Sequence, residues 1–426
     1  MSNTDYSTLR DSRKRQYLNV AGADKPLKSP VSHAVLESAR RYRIQRIRKK
    51  LLEHNCDAII LYDPVNIRYA FDAPNMQVWA MHNPLRYGIV FAKGPAVMFE
   101  FASCEHLCEG IETIDEVRTA TGWMYMTTGD QVANRVKKWS DEIASLIAQH
   151  VGKNAQLAAD RLDFLGQSAL ESHGITVVPG DAITEEARSI KSPEEIELMR
   201  WTIRVCEASM ARIYEHSIPG ITEQELWAHM SFENSRSGGE WLETRLLTAG
   251  SHTNPWYAES SDRVCNLGEM ISFDTDMVGP YGYCADLSRS WTCGYTKMTS
   301  KQKDLYSMAL DQINHNLAII ADGVSFVEFN EQSWQIPLES QPFRYSLAAH
   351  GVGMADEWPI ILLHPDFTNN HGGHFEENMV ICVESLVAEP GTESIKLETQ
   401  ALVTKNGIER LDTFPWEIEK HTSTHN

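Results

Sequence analysis

Three aspartates, one histidine and two glutamates are the residues of this chain best suited to do chemistry together. Asp274 closes the apolar run Met270-Ile271-Ser272-Phe273, and Asp276 follows two residues later. Gly279-Pro280-Tyr281-Gly282 then separates them from Asp286. In an extended strand, residues i and i+2 project from one face, so Asp274 and Asp276 are expected side by side. The Gly-Pro segment reads as a hairpin turn that returns Asp286 beside Asp274. Acids this close repel one another unless cations neutralise them. Taken alone, acids near a Gly-Pro turn read as solvated turn residues, but three later features change the balance. His350 opens His350-Gly351-Val352-Gly353 behind an apolar stretch, Glu384 ends the run Met379-Val380-Ile381-Cys382-Val383, and Glu398 sits inside the strand-like segment 395–403. A glutamate on a buried-type run is costly without a partner. The separation of 14 positions from Glu384 to Glu398 suits two neighbouring strands joined by a loop. Five carboxylates and one imidazole suit Mn, Fe, Co or Zn held as a carboxylate-bridged pair. They do not suit a structural zinc, which favours thiolates.

The elements that must hold these residues fall into two parts. Residues 1–33 read as a polar arm. Residues 34–53 form an amphipathic helical pattern, 58–62 a buried strand that Asp63-Pro64 stops, and 87–92 and 95–100 paired strands around Lys93-Gly94. A helix over 129–150, a strand over 156–159 and a helix over 164–173 complete an α/β domain assigned to 34–185. The second domain, 186–426, opens on a helix signature. Ser192 can cap, Pro193 suits the first helical position and Glu195 completes a capping box. Thr222 and Glu225 repeat the signature for the next helix, and after residue 240 the pattern is strand-rich.

Composition excludes several function classes. The chain has 426 residues, 42% apolar, and a formal net charge of −19, which argues against nucleic-acid binding because phosphate recognition needs a basic face. Its eight cysteines include no CxxC pair and read as reduced thiols rather than a disulfide framework. No segment is apolar enough to predict a membrane helix and the first residues lack a signal-peptide core, so the expected location is cytoplasmic, with no membrane partner.

The order Asp, Asp, His, Glu, Glu resembles that of the creatinase/prolidase/methionine-aminopeptidase superfamily, the pita-bread metallohydrolases. Residues 188–196 resemble that superfamily's entry into its catalytic domain, 63–69 the N-terminal domain of its creatinase/prolidase branch, and 282–289 its second-aspartate motif, so that the likeness covers residues 35–410. It implies an α/β (α+β) fold, with a smaller N-terminal α/β domain followed by a pita-bread catalytic domain. Departures narrow the resemblance. Asp274 and Asp286 are 12 apart, one more than is usual in the peptidases, and Asp276 is an extra acid. Where the peptidases carry two further histidines, this chain has Trp256, in Asn254-Pro255-Trp256-Tyr257, and Asp356, in Asp356-Glu357-Trp358-Pro359.

That combination resembles the DddP-type dimethylsulfoniopropionate lyase branch, with Asp274-x-Asp276, Tyr345 five residues before His350 and Asp356 six after it as the matching features. The resemblance implies metal binding by Asp274, Asp276, Asp286, His350, Glu384 and Glu398. It also implies catalysis by Asp356 and two divalent ions per subunit, iron first, with zinc or manganese next. A small sulfonium substrate would need a cation site without hydrogen bonds, and aromatic faces supply one. Trp256, Tyr257, Tyr345 and Trp358 flank the ligand motifs and are candidates for it. Burial among Trp358 and Ile360-Ile361-Leu362 is expected to raise the Asp356 pKa toward that of a useful base. The resemblance further implies a homodimer in which Trp79 and His82 close the second copy's pocket. Two alternatives remain open from sequence: a prolidase-like or aminopeptidase-like hydrolase of a small peptide or amide, and a non-catalytic binding module on the same fold.

Overall fold

The computed structural model describes residues 26–152, 154–363 and 372–417. The greater part of the arm expected over 1–33 lies outside the described residues. The chain divides into two compact units, one spanning Ser32–Arg188 and the other joining the described residues up to Val31 with those from Ser189 onward.

In the first unit, Ser32 caps helix α1 (His33–Glu53), which leads into strand β1 (Ala58–Leu61). Asp63 does stop this strand, but it also caps a buried helix, α2 (Pro64–Phe71), that the dipeptide signal did not announce. Strands β2 (Tyr87–Phe91), β3 (Ala96–Glu100) and β4 (Glu116–Thr119) follow, then α3 (Val132–His150), β5 (Gln156–Ala159), α4 (Phe164–Glu171) and β6 (Thr176–Pro179). They build one mixed sheet in the order β4-β3-β2-β1-β5-β6. Its core places Ile60, Tyr87, Ile89, Phe91 and Phe99 against Trp139 and Ile143 of α3.

In the second unit, helix α5 (Pro193–His216) starts with the expected capping box: Ser192 accepts from the Glu195 amide, and the Glu195 carboxylate accepts from the Ser192 amide. Helix α6 (Glu223–Arg236) starts in the same way at Thr222. The capping segment of α5 also reaches toward the later strands. Glu195 Oε1 accepts a 2.8 Å bond from the Tyr283 hydroxyl, and Lys191 pairs with Glu357 in a buried contact. The segment that starts this helix therefore also braces Tyr283, three residues before Asp286, and the strand that begins at Asp356.

Three small or medium sheets follow. Strands β7 (Trp241–Leu242), β10 (Met277–Val278) and β11 (Cys284–Ala285) form one, in the order β11-β10-β7. Strands β8 (Leu247–Ala249), β9 (Met270–Asp274) and β12 (Ser288–Thr292) form the second, β12-β9-β8, in which Asp274 is opposite Ser288. The third has the order β14-β13-β15-β16-β17, from β13 (Leu347–Val352), β14 (Asp356–Leu362), β15 (Val380–Val387), β16 (Ile395–Thr404) and β17 (Gly407–Arg410). The strand-rich reading after residue 240 overlooked two helices, α7 (Ser300–Ile319) and α8 (Phe326–Gln332), which supply Leu305, Tyr306, Phe326 and Phe329 to the core beneath this sheet.

Alternation on β15 and β16 separates core from site. Ile381, Val383 and Val387 on β15, and Ile395, Leu397 and Val403 on β16, belong to the hydrophobic core. Cys382, Glu384, Lys396 and Glu398 occupy the opposite parity and face the other way. Glu384 does not end its strand as the sequence suggested. It sits in mid-strand, directly opposite Glu398.

Candidate metal centre and active site

The six expected ligands converge. Donor atoms of Asp274, Asp276 and Asp286 lie within 4.8 Å of one another, as do those of Asp274, Glu384 and Glu398, and those of Asp286, His350, Cys382 and Glu398. The local route to this convergence differs from expectation at one point. Asp276 is not on an extended strand. Its φ is +34°, in the left-handed region, where aspartate is among the few tolerated residues, and the backbone turns there between β9 and β10. Convergence comes from this turn rather than from strand parity. Thr244 Oγ1 then holds the Asp276 carboxylate at 2.6 Å. The hairpin itself is pinned by Thr275, whose hydroxyl donates to the Ala285 carbonyl and accepts from the Leu287 amide.

His350 comes from β13 with its tautomer fixed by geometry. Nδ1 lies 3.0 Å from the Gly351 carbonyl and donates to it, which leaves Nε2 facing Glu398 Oε1 at 3.3 Å, Asp286 Oδ2 at 3.5 Å and Glu384 Oε1 at 3.7 Å. The glycines of the motif let β14 approach: a Cβ on Gly351 would meet the Trp358 carbonyl oxygen at 2.5 Å, and one on Gly353 the Glu357 carboxylate at 2.6 Å. Arg289, buried on β12, donates to the Glu398 backbone carbonyl at 2.6 Å and pairs with Asp412, fixing β16 against β12.

The electrostatics are those of a cation site. Burial first, and then neighbouring carboxylates, hold Asp286 and Asp276 well above the usual carboxylate range and push Glu384 up to about 8. Burial also raises Asp274, against the pull of Lys396. For His350, burial works downward but is outweighed by Asp356, Glu398 and Glu384, which hold the ring well above its ordinary value. Asp286 Oδ1 and Glu384 Oε1 are buried with no hydrogen-bond partner among the described residues. Unpartnered buried carboxylate oxygens beside a hard imidazole–carboxylate donor set are what a divalent transition metal would satisfy, so these residues fit the ions expected from sequence.

Two participants escaped the sequence reading. Lys396, fully buried, places Nζ 2.9 Å from Asp274 Oδ2, 2.8 Å from Glu384 Oε2 and 2.9 Å from Glu398 Oε2. Cys382, directly opposite His350, joins one donor cluster. Both were findable, since each sits two residues from a ligand glutamate on the same strand face.

Asp356 begins β14 with its carboxylate 3.7 Å from His350 Nδ1. The burial expected for it is corrected: its side chain is 52% exposed, and Ile360 is exposed as well. Its carboxyl is nevertheless raised, first by the protein packed around it and then by Glu398, Asp274 and Glu243, against the pull of His350.

The aromatic candidates divide. Trp256 and Tyr345 pack together with Leu246 and Leu386, and the Tyr257 and Tyr345 rings lie 5.3 Å apart. One face of Tyr345 is already taken by Lys396 Nζ, 5.1 Å from the ring centroid. Trp358 does not join them. It packs edge-on against Phe326 at 5.2 Å, on the core side, although the exposed Asp356 and Ile360 share its parity, because the β13–β14 register is irregular across this stretch. Trp79 and His82 belong to the first unit, where Trp79 packs edge-on against Phe101 and His82 is exposed.

Residues 197–405 match metallopeptidase family M24. A dimethylsulfoniopropionate lyase DddP from Roseovarius nubinhibens is 37% identical over 90% of this chain and 87% of that protein. Another from Roseobacter denitrificans is 35% identical over the same shares. Among solved structures, an Xaa-Pro dipeptidase from Bacillus anthracis superimposes with a TM-score of 0.70 at 18% identity, covering 89% of this chain and 99% of that one, a likeness of fold.

Proposed function

The chain belongs to the DddP-type dimethylsulfoniopropionate lyase family, a pita-bread branch of the M24 metallopeptidases, and from that premise we propose that it cleaves dimethylsulfoniopropionate to dimethyl sulfide and acrylate. The observation that carries this reading is Asp356, an accessible carboxylate 3.7 Å from His350 Nδ1 where a peptidase would have histidine. Asp274, Asp276, Asp286, His350, Glu384 and Glu398 would hold two divalent ions, iron first and zinc or manganese next. Bound there, the ions supply positive charge opposite the substrate carboxylate as negative charge develops on it.

The chain's own residues do the rest. Asp356 takes a proton from the carbon next to the substrate carboxylate, and the raised affinity of its carboxyl for a proton suits it to that task. The electron pair of that C–H bond becomes the second bond between the two carbons, the carbon–sulfur bond breaks, and dimethyl sulfide leaves as a neutral molecule with the bonding pair. Trp256 and Tyr257 offer aromatic surface to the sulfonium, with Tyr345 positioned behind them and occupied on one face by Lys396. In a homodimer, Trp79 and His82 would close the pocket of the second copy.

The test is headspace measurement of dimethyl sulfide from metal-loaded protein and dimethylsulfoniopropionate, run beside hydrolysis of Xaa-Pro dipeptides. Dipeptide cleavage without dimethyl sulfide would overturn the lyase reading in favour of the hydrolase.

A further inference from the structure

Lys396 is a charged side chain of the centre to which the reaction above gives no direct part. Its three N–H groups meet three carboxylates, each on a single oxygen: Asp274 Oδ2, Glu384 Oε2 and Glu398 Oε2. Ser288 Oγ is a fourth neighbour at 3.0 Å. For the two glutamates the opposite oxygens are the ones turned to His350, while Asp274 Oδ1 accepts from Ser288 Oγ and the Thr275 amide. Glu384 Oε1 has no hydrogen-bond partner among the described residues and lies 3.7 Å from His350 Nε2, which Glu398 Oε1 also faces. The ammonium therefore stands behind the ligands rather than among them, and has no need to leave when metal binds.

We propose that Lys396 sets the charge of the metal centre and so lets a carboxylate substrate enter it. The inference rests on the two-ion reading above. Five carboxylates, Asp274, Asp276, Asp286, Glu384 and Glu398, bring five negative charges into one buried site. Two divalent ions offset four of them, with His350 bound as the neutral imidazole. The fifth, which the extra Asp276 supplies, is offset by Lys396. The loaded ligand set is then neutral, and a carboxylate that reaches it does not work against a net negative charge on the ligands themselves. Without the lysine the same centre carries one uncompensated negative charge where the substrate carboxylate must sit. A plain structural salt bridge would have no such effect on anion binding.

The probe is propionate, a carboxylate with no leaving group, titrated calorimetrically into zinc-loaded wild type, Lys396→Met and Lys396→Arg, with zinc per chain measured for each. Propionate binding should weaken by about a hundredfold in Lys396→Met, the scale for removing a unit charge about 6 Å away at an effective dielectric of about 20. Lys396→Arg should bind within about threefold of wild type. Wild-type-like propionate affinity in Lys396→Met overturns the proposal. If Lys396→Met does not hold two zinc ions, the double variant Asp276→Asn with Lys396→Met decides, because its formal charge equals the wild type's. Recovery of propionate binding there supports the charge role, and failure to recover it overturns that role. Propionate binding needs no turnover, so a protein that binds it as expected but releases no dimethyl sulfide would count against the lyase reading and leave this one standing.

Discussion

An amide in place of the Asp356 carboxylate keeps its size but cannot take a proton. Asp356→Asn should therefore lower dimethyl sulfide release by about 10²–10⁴ while leaving metal content and melting temperature close to wild type. Asp356→Glu should also be poor, because its extra methylene displaces the oxygen by about 1 Å. Turnover together with deuterium exchange at the substrate α-carbon checks both, and wild-type turnover in Asp356→Asn would end the assignment. A second expectation concerns the ligands without their ions. Glu384 is pushed up to about 8 from an ordinary 4.5 by burial and then by Glu398, against Lys396 and His350. A carboxyl that binds its proton more tightly folded than unfolded gives the folded state the larger proton count between those values. Stability then falls as pH rises from about 4.5 to about 8. Asp274, Asp276, Asp286 and His350, all raised, act with the same sign. Metal-free protein should melt lower at pH 8 than at pH 5.5, and metal-loaded protein should not show that drop. Calorimetric scans at the two pH values check this, and a metal-free melting temperature that climbs across the window contradicts it.

At the scale of elements, strand β14 lies so close to β13 that only glycine fits at position 351. Gly351→Ala would drive a methyl group into the Trp358 and Glu357 carbonyl oxygens, which are backbone and cannot swing aside. It should destabilise by about 1–3 kcal/mol and displace Asp356 relative to His350. Chemical denaturation measures the first effect, and loss of turnover with metal retained measures the second. This motif, the capping boxes at Ser192 and Thr222 and the strand ending at Asp274 were legible because each is governed by local rules of capping, parity and turn chemistry. Other features were hidden because they depend on partners distant in sequence. The left-handed turn at Asp276 is held by Thr244, and the exposure of Asp356 depends on which strands flank it. Lys396 went unread because its shared parity with Glu398 gives its place on the face but not its three partners, two of which come from other strands. Helix α7 went unread because its buried positions are mixed with Gln302, Gln312 and Asn316, which blur the apolar period.

For the whole molecule, the proposed pairing of copies predicts sedimentation at micromolar concentration with twice the 48.2 kDa mass of the chain. A fully active monomer would contradict it. Within one copy, two tasks are written on the same pair of strands, since β15 and β16 send alternate residues to the hydrophobic core and to the metal centre. That interleaving makes the chain unequally tolerant of two kinds of genetic change. A point substitution on either face disturbs one task and leaves the other in place. Loss or gain of a single codon shifts parity for the rest of the strand, sending Glu398 toward the core and Leu397 toward the ions. A library of single-residue deletions within 380–387 and 395–404 should therefore contain almost no folded survivors, while conservative core substitutions such as Val403→Ile persist. Lineages descending from this chain can change the length of the loop between Val387 and Ile395 far more readily than that of either strand beside it.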